Sequence, residues 1–343
     1  MGEIIVRRLA LMLLTMLLVS MAVFFICEVV PLDVARNILG QFATPETIAA
    51  FREQNGFNCP ATVRYVIWLI GDDWIPSARG VLGAEVLPAG CTPPKLDRKG
   101  LARGDLGYSM LNGAPVAPIV FRRLKNSAIL AGIAFLLIMP IALLFGLWAG
   151  LRENKLADRI ITLASLITTS TPSFALGVLL VVIFSIQLKL LPGISALVTE
   201  TNILQTPAKL VMPIAVLFFA EAGYVARMTR ASMVEVMATP YIRTTLLKGL
   251  PYRQVVFRHA LKNALLAPIT VIMLHISWLI GGIVVVESLF GFPGLGTLLL
   301  QASLGKDVYV IEAGALFMTF VATATQLLAD FIYIYLNPRI RYS

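Results

Sequence analysis

Six long apolar stretches constrain this chain more than any other feature. They run approximately Leu9–Val30, Ile129–Leu151, Ile160–Leu188, Leu210–Val225, Leu265–Val286 and Ala313–Leu336. A helix that crosses the hydrocarbon core of a bilayer needs roughly 20 apolar residues. In lipid the backbone must satisfy its own hydrogen bonds, and an α-helix does so within one segment. Pro140, Pro172 and Pro213 lie inside these stretches. They do not exclude helices, because neighbouring helices can satisfy the freed backbone groups. The fourth stretch is the shortest, and the apolar pattern defines its limits least. The expected fold class is an all-α integral membrane protein with about six transmembrane helices.

Composition excludes a soluble domain. Of 343 residues 58% are hydrophobic and 14% charged, with a mean hydropathy of +0.84. Too few polar residues remain to cover a soluble surface. The net charge of +9 does not point to nucleic acid, since the basic residues are not interleaved with aromatics on a soluble module. They sit between the apolar runs, which suits anionic lipid head groups and orientation in a membrane. One side would carry Arg7, Arg8, Arg152, Lys155, Arg159, Arg227, Arg230, Arg243, Lys248, Arg253, Arg258, Lys262, Arg339 and Arg341. The short loops of the other side would carry only Lys189, Lys209 and Lys306. This asymmetry places both termini in the cytoplasm. Arg122, Arg123 and Lys125 run against it, but they border a long loop, and long loops largely escape the rule. The first stretch is longer than a typical signal-peptide core and no convincing A-x-A site follows, so it reads as a retained anchor.

The chain divides into residues 1–30 (N-terminal segment and first span), 31–120 (an extracytoplasmic loop subdomain) and 121–343 (the transmembrane core). In the subdomain Thr44–Asn55 reads as a capped helix, with Thr44 as N-cap and Pro45 at N1. Thr62–Ile70 is a second short helix, and Trp74–Lys99 is rich in Pro and Gly and reads as loop. Cys27 lies in an apolar run and packs as a small hydrophobe. Cys59 and Cys91 share the polar segment. They form a disulfide if that segment faces an oxidising compartment, or else remain two free or buried thiols. No Cys/His cluster has metal-ligand spacing, so no metal site is expected.

The segment Met228–Ala267, within residues 228–267 between the fourth and fifth spans, is the most informative. Pro240 starts a short helix, Gly249-Leu250-Pro251 breaks it, and helical spacing resumes from Val255. Two readings stand for this basic pair of helices. One is a surface element on lipid head groups. The other is a docking element for a cytoplasmic partner, with the Gly allowing a tight turn that projects one helix end.

Arg243-Thr244-Thr245, Leu246-Leu247-Lys248 and Gly249 fill the places of the EAA-x-x-x-G coupling loop of ABC importer permeases, and His259-Ala260-Leu261-Lys262 those of its I-x-L-P. The acidic residue, both alanines, the Ile and the Pro of that pattern are replaced. The replacements resemble the dipeptide/oligopeptide/nickel permease branch, in which R-T, K-G-L and R-H-A-L-x-N-A are usual. Arg7-Arg8-Leu9, Gly104-Asp105-Leu106-Gly107-Tyr108-Ser109, Val284-Val285-Val286-Glu287, Phe292-Pro293-Gly294-Leu295-Gly296 and Asn337-Pro338-Arg339-Ile340-Arg341 resemble further elements of the branch, in its order.

The resemblance implies a non-catalytic permease subunit of the bacterial inner membrane. Two permeases would form the pathway, here a heterodimer with a second, different chain. Two ATPase subunits would dock on the coupling loops and hold ATP and Mg, leaving this chain without a cofactor. The absence of G-x-x-x-x-G-K-[ST] agrees with that division. An extracytoplasmic solute-binding protein would deliver the solute, with di- or oligopeptide ahead of nickel chelates or oligosaccharides. The coupling residues would be Arg243, Thr244, Thr245, Lys248, Gly249, His259 and Asn263. His259 and Asn263 have a second reading, as helix caps that hold the loop rigid.

Ionisable residues inside spans are costly and usually face the protein interior or a water-filled cavity. Glu287 and Asp330 match acids of the family and read as structural or gating. Glu221 and His275 stand where the family would have small or apolar residues. They either line the pathway and tune substrate choice, or form a buried hydrogen-bonded pair that fixes helix packing. An ion-driven secondary transporter is the competing class, and the lack of a visible inverted repeat argues against it. A membrane enzyme is disfavoured, because no loop carries a nucleophile–base or metal-ligand pattern.

Overall fold

The structure is a computed structural model that describes residues 2–29, 39–40, 43–72, 91, 99–194 and 206–336. Among these residues the secondary structure is helical, with one isolated bridge between Tyr108 and Pro115. Four helices are long and apolar enough to cross a membrane, and up to seven spans result if each of three bent helix pairs is counted as one. They fall into two compact units, residues 1–124 with 298–320, and residues 125–297 with 321–343.

The first unit begins with α1 (Gly2–Val29), whose apolar side chains are mostly exposed. Its C-terminal half meets α3 (Ala61–Ile70) through an aromatic cluster. Phe24 lies edge-on to Tyr65 with ring centroids 5.2 Å apart, and Ser20 shares a 2.8 Å hydrogen bond with the Tyr65 hydroxyl. Between them in sequence, α2 (Pro45–Gln54) starts as the pattern predicts. Pro45 occupies the first turn, and the Thr44 hydroxyl accepts from the Thr47 N–H at 3.3 Å. The Glu46 carboxyl is held below its usual range by its own backbone N–H and then by the Thr44 hydroxyl. A disulfide joins Cys59 to Cys91, with Cα atoms 4.5 Å apart. Apart from Cys91 and Lys99, the Pro- and Gly-rich stretch from Trp74 lies outside the described residues.

The Gly104–Ser109 element forms a tight loop in this unit. Gly104 and Gly107 have φ of 82° and 77°, a region only glycine enters freely. The Asp105 carboxylate accepts from the Gly107 N–H at 2.9 Å. Ser109 donates its hydroxyl to Asp307, which also accepts from the Met110 N–H at 3.1 Å. Asp307 is buried, a role its place in a short loop did not announce.

The second unit holds most of the long helices. α4 (Val116–Leu151) is longer than the expected second span, so Arg122, Arg123 and Lys125 lie on the helix and not in a loop. The expected single span Ile160–Leu188 is instead two helices. These are α5 (Leu156–Ser170) and α6 (Ser173–Leu180), the latter continuing as a π-helical turn Val181–Gln187, and they are bent by 105°. Pro172 is the reason. It pushes Thr171 into extended backbone, with φ −95° and ψ 126°, and removes a donor from the turn. Pro140 and Pro213, by contrast, are carried inside continuous helices.

α7 (Ala208–Met237) extends well past the apolar stretch that announced it, so Arg227 and Arg230 lie on the helix. α10 (Leu266–Phe290) and α11 (Leu295–Gly305) are bent by 71° at Gly291–Gly294. α12 (Val308–Leu336) closes the described chain, and Asp330 is half-buried on it. The element Asn337–Arg341 lies outside the described residues.

Helices in lipid gain little from the hydrophobic effect on meeting, so close backbone approach at small residues holds them together. A Cβ at Gly146 would stand 2.5 Å from the Ala226 carbonyl oxygen, and one at Gly150 2.7 Å from Met233 Cβ. These two glycines let α4 lie directly on α7. Gly223 does the same for α5, where a Cβ would stand 2.8 Å from the Ser165 carbonyl oxygen. Around these contacts Ile138, Met212, Val216, Leu217, Val286 and Phe290 form a buried core.

Candidate functional site

The segment after α7 folds as a helical pair. α8 (Pro240–Leu247) begins at Pro240. Gly249 then adopts φ +78°, with no atom within 4 Å of where its Cβ would be. α9 (Tyr252–Ala264) follows, with a π-helical turn at Val255–Ala260, and bends by 45° into α10. One face of the pair is anchored: Ile242, Val255, Val256, Ala260 and Ala264 are buried together with Met233 of α7. Ser232 of α7 donates its hydroxyl to the Ala264 carbonyl at 2.8 Å.

Of the residues marked from the sequence, Arg243, Thr244, Lys248 and Gly249 are exposed, and Thr245 is half-buried. The two threonine hydroxyls turn back on their own helix. Thr244 donates to the Pro240 carbonyl at 3.0 Å and Thr245 to the Tyr241 carbonyl at 2.7 Å. Asn263 donates to the Tyr241 hydroxyl at 2.8 Å and so ties α9 to α8. His259 is half-buried in the π-turn, and its carbonyl accepts from Asn263 at 3.4 Å.

Sequence reasoning passed over the apolar residues of this surface. Leu247 is 82% exposed and Phe257 70% exposed, the most exposed of the large apolar residues on this segment, which also shows Tyr241, Leu246 and Tyr252 at its surface. Two leucines directly before Lys248-Gly249, at a helix end, were the available signal. Also passed over was a pair between Asp158 of α5 and Arg230 of α7. Arg230 donates Nε to one carboxylate oxygen and Nη2 to the other at 2.8 Å. Asp158 is buried and also accepts from the Asn154 N–H at 2.9 Å and the Thr162 hydroxyl at 3.2 Å. Both residues had been counted only as loop charges or not at all, because the apolar runs stop short of them.

Glu221 and His275 come together. Nδ1 of the imidazole lies 2.5 Å from Glu221 Oε2, and the side chains are 15% and 12% exposed for His275 and Glu221. The Tyr224 ring, one turn along α7, lies with its centroid 4.9 Å from that of the imidazole. Glu287 has no exposed surface. Ser127 of α4 donates its hydroxyl to Glu287, and the Gly296 N–H donates at 2.7 Å. The Ser127 oxygen itself accepts from the Leu295 N–H at 2.8 Å, and Asn126 donates to the Pro293 carbonyl at 2.8 Å. Glu287 is therefore a clamp on the turn between α10 and α11. No cluster of three or more His, Cys, Asp or Glu residues suited to a metal occurs among the described residues.

Residues 142–342 match the family model of the binding-protein-dependent transport system inner membrane component, and residues 1–93 match the N-terminal model of such components. A chain of Brucella abortus that bears the name of a peptide transport system permease protein is 33% identical over 342 residues, covering 100% of both chains. An oligopeptide transport system permease protein of Bacillus subtilis is 30% identical, again over 100% of both. A glutathione transport system permease protein of Escherichia coli is 30% identical over 98% of each chain. With ordered motifs, a membrane-spanning helical fold and full-length relatives in agreement, the chain belongs to the binding-protein-dependent transport system inner membrane components, the permease subunits of ABC importers.

Proposed function

We propose that this chain forms one half of the translocation pathway of a short-peptide importer, and that residues 228–267 are where a separate ATPase docks. The observation that carries the docking assignment is an anchored scaffold with a projecting apolar edge. Ile242, Val255 and Ala260 are buried while Leu247 and Phe257 stand out. An exposed apolar edge rimmed by charge is the composition of a protein–protein contact. Arg243 and Lys248 supply that charge, and Gly249 sets the turn that presents it. Thr244 and Thr245 lie on the docking helix, and His259 and Asn263 hold the pair rigid.

Force on α8 then has a defined route. The buried cluster and the Asn263–Tyr241 bond couple α8 to α9, and α9 leads through its 45° bend into α10. ATP and Mg would act on the partner ATPases, whose closure would displace α8 and with it α7 and α10. The pathway would run beside Glu221 and His275, with Glu287 and Asp330 fixing helix ends. A second, different permease would complete the pore. A binding protein would deliver solute to the side that bears residues 31–120. The charge asymmetry of the short loops supports cytoplasmic termini. Peptide is favoured over nickel chelates or oligosaccharides because the full-length relatives bear peptide, oligopeptide and glutathione names.

The test is recovery of the tagged chain from native membranes with identification of what co-purifies, followed by uptake of labelled peptide. ATPase subunits, a related permease and ATP-dependent uptake are expected. A chain recovered alone, with uptake driven by an ion gradient, would replace this reading with a secondary transporter.

A further inference from the structure

We infer that Glu221 and His275 form an ammonium-binding site inside the pathway, one that reads the free α-amino group of the solute. This rests on the peptide-importer reading above and adds the group by which the solute is recognised. Glu221 is the fourteenth residue of the 30-residue α7, and His275 the tenth of the 25-residue α10. Both lie inside apolar stretches, Leu210–Val225 and Leu265–Val286. An ionisable pair within such stretches is costly against lipid and belongs beside a polar cavity or in the protein interior. The neighbouring Tyr224 is 42% exposed, so this part of α7 has an open face.

The hydrogen-bond inventory decides what the pair can bind. With the imidazole neutral, Nδ1 donates to Glu221 Oε2. The pair then carries one negative charge, and imidazole Nε2 is left as an acceptor. Glu221 Oε1 accepts no hydrogen bond from the described residues. Gly282, seven residues after His275 and on the same face of α10, is the residue whose missing side chain faces that oxygen. Even a Cβ there would come no closer than 3.9 Å to it. Two acceptors and one negative charge beside an open tyrosine ring suit a primary ammonium, with three N–H donors and attraction to an aromatic face. A carboxylate would be repelled by that set, and a neutral sugar hydroxyl would meet its acceptors without the attraction of opposite charge.

The experiment uses the purified permease–ATPase complex without its binding protein, so that only the membrane site discriminates. Equilibrium binding of labelled trialanine is measured with N-acetyltrialanine as competitor. For the wild type, the acetylated peptide should compete at least tenfold less well. Glu221→Gln should weaken trialanine binding about tenfold, the scale of one charge-assisted hydrogen bond, and should abolish the preference over the acetylated peptide. His275→Gln, which keeps a side-chain donor for Glu221, should lose part of the preference in a complex that still assembles. The site assignment is overturned if Glu221→Gln keeps both affinity and preference, or if both peptides weaken equally, as a packing role predicts. If the wild-type complex binds neither peptide, the peptide reading itself falls and the site assignment with it.

Discussion

Replacing Gly294 by alanine should break the α10–α11 turn, and the structure sets the size of the effect. A Cβ at position 294 would stand 2.0 Å from Glu287 Oε1 and 2.3 Å from Oε2. The backbone there has little freedom to yield. The Pro293 carbonyl is held by Asn126 and the Leu295 N–H by Ser127, each at 2.8 Å. The carboxylate must move, and its bonds to Ser127 and to the Gly296 N–H are lost. A hydrogen bond to a buried charged group contributes about 1.5–3 kcal/mol, so two predict a loss of roughly 3–6 kcal/mol. Thermal unfolding of the purified permease in detergent, followed by loss of the monodisperse peak in size-exclusion chromatography, reads this. A double-mutant cycle isolates the cause. In a Glu287→Ala background the methyl enters vacated space, so Gly294→Ala should then cost less than about 1 kcal/mol. Additive effects, or a Gly294→Ala protein as stable as the wild type, would refute the clamp.

The same reasoning gives five further expectations. A Cβ at Gly249 would meet no atom within 4 Å, so the cost of Gly249→Val is chiefly backbone strain at φ +78°, about 1–3 kcal/mol, and the change should reduce ATPase co-purification while membrane insertion stays normal. Leu247→Asp alters a side chain 82% exposed and should leave thermal stability unchanged while reducing ATPase recovery; equal recovery would remove Leu247 from the contact. Denatured but unreduced protein should label with maleimide at Cys27 alone, and at Cys59 and Cys91 only after reduction. Because the disulfide closes 32 residues, Cys59→Ser should destabilise its subdomain by about 3–4 kcal/mol, seen as faster local proteolysis. Asp158→Ala leaves Arg230 half-buried without its carboxylate and should lower stability by about 3–5 kcal/mol, with part recovered in Asp158→Ala/Arg230→Met; no loss in the single variant would make the pair incidental.

Elements whose signal is local were legible from the sequence. Thr44 and Pro45 start α2 because capping involves only neighbouring backbone groups. Pro240 and Gly249 bound α8 for the same reason, one fixing φ and the other allowing a positive φ. The long apolar runs announced the membrane because hydrocarbon thickness sets their length. The Pro172 break was missed, since hydropathy counts side chains and is blind to backbone direction; Pro140 and Pro213 show that proline alone does not decide it.

Contacts between distant residues belonged to the tertiary structure. That Glu221 meets His275, Asp158 meets Arg230 and Ser127 meets Glu287 follows from which helix faces which, across 54 to 160 residues of chain. The sequence marked Glu221, His275 and Glu287 because a charge in hydrocarbon is conspicuous. It did not choose between a paired and an open arrangement, because pairing depends on the rotation and depth of two helices. For α4 and α5 against α7 these are set by close approaches at Gly146, Gly150 and Gly223, where the absence of a side chain is the determinant. The sequence alone determined the class, the presence of several membrane-spanning helices and the turn that breaks the coupling segment, since each rests on chain-local chemistry. Which charges pair with one another, and across which helices, was decided only when the helices packed.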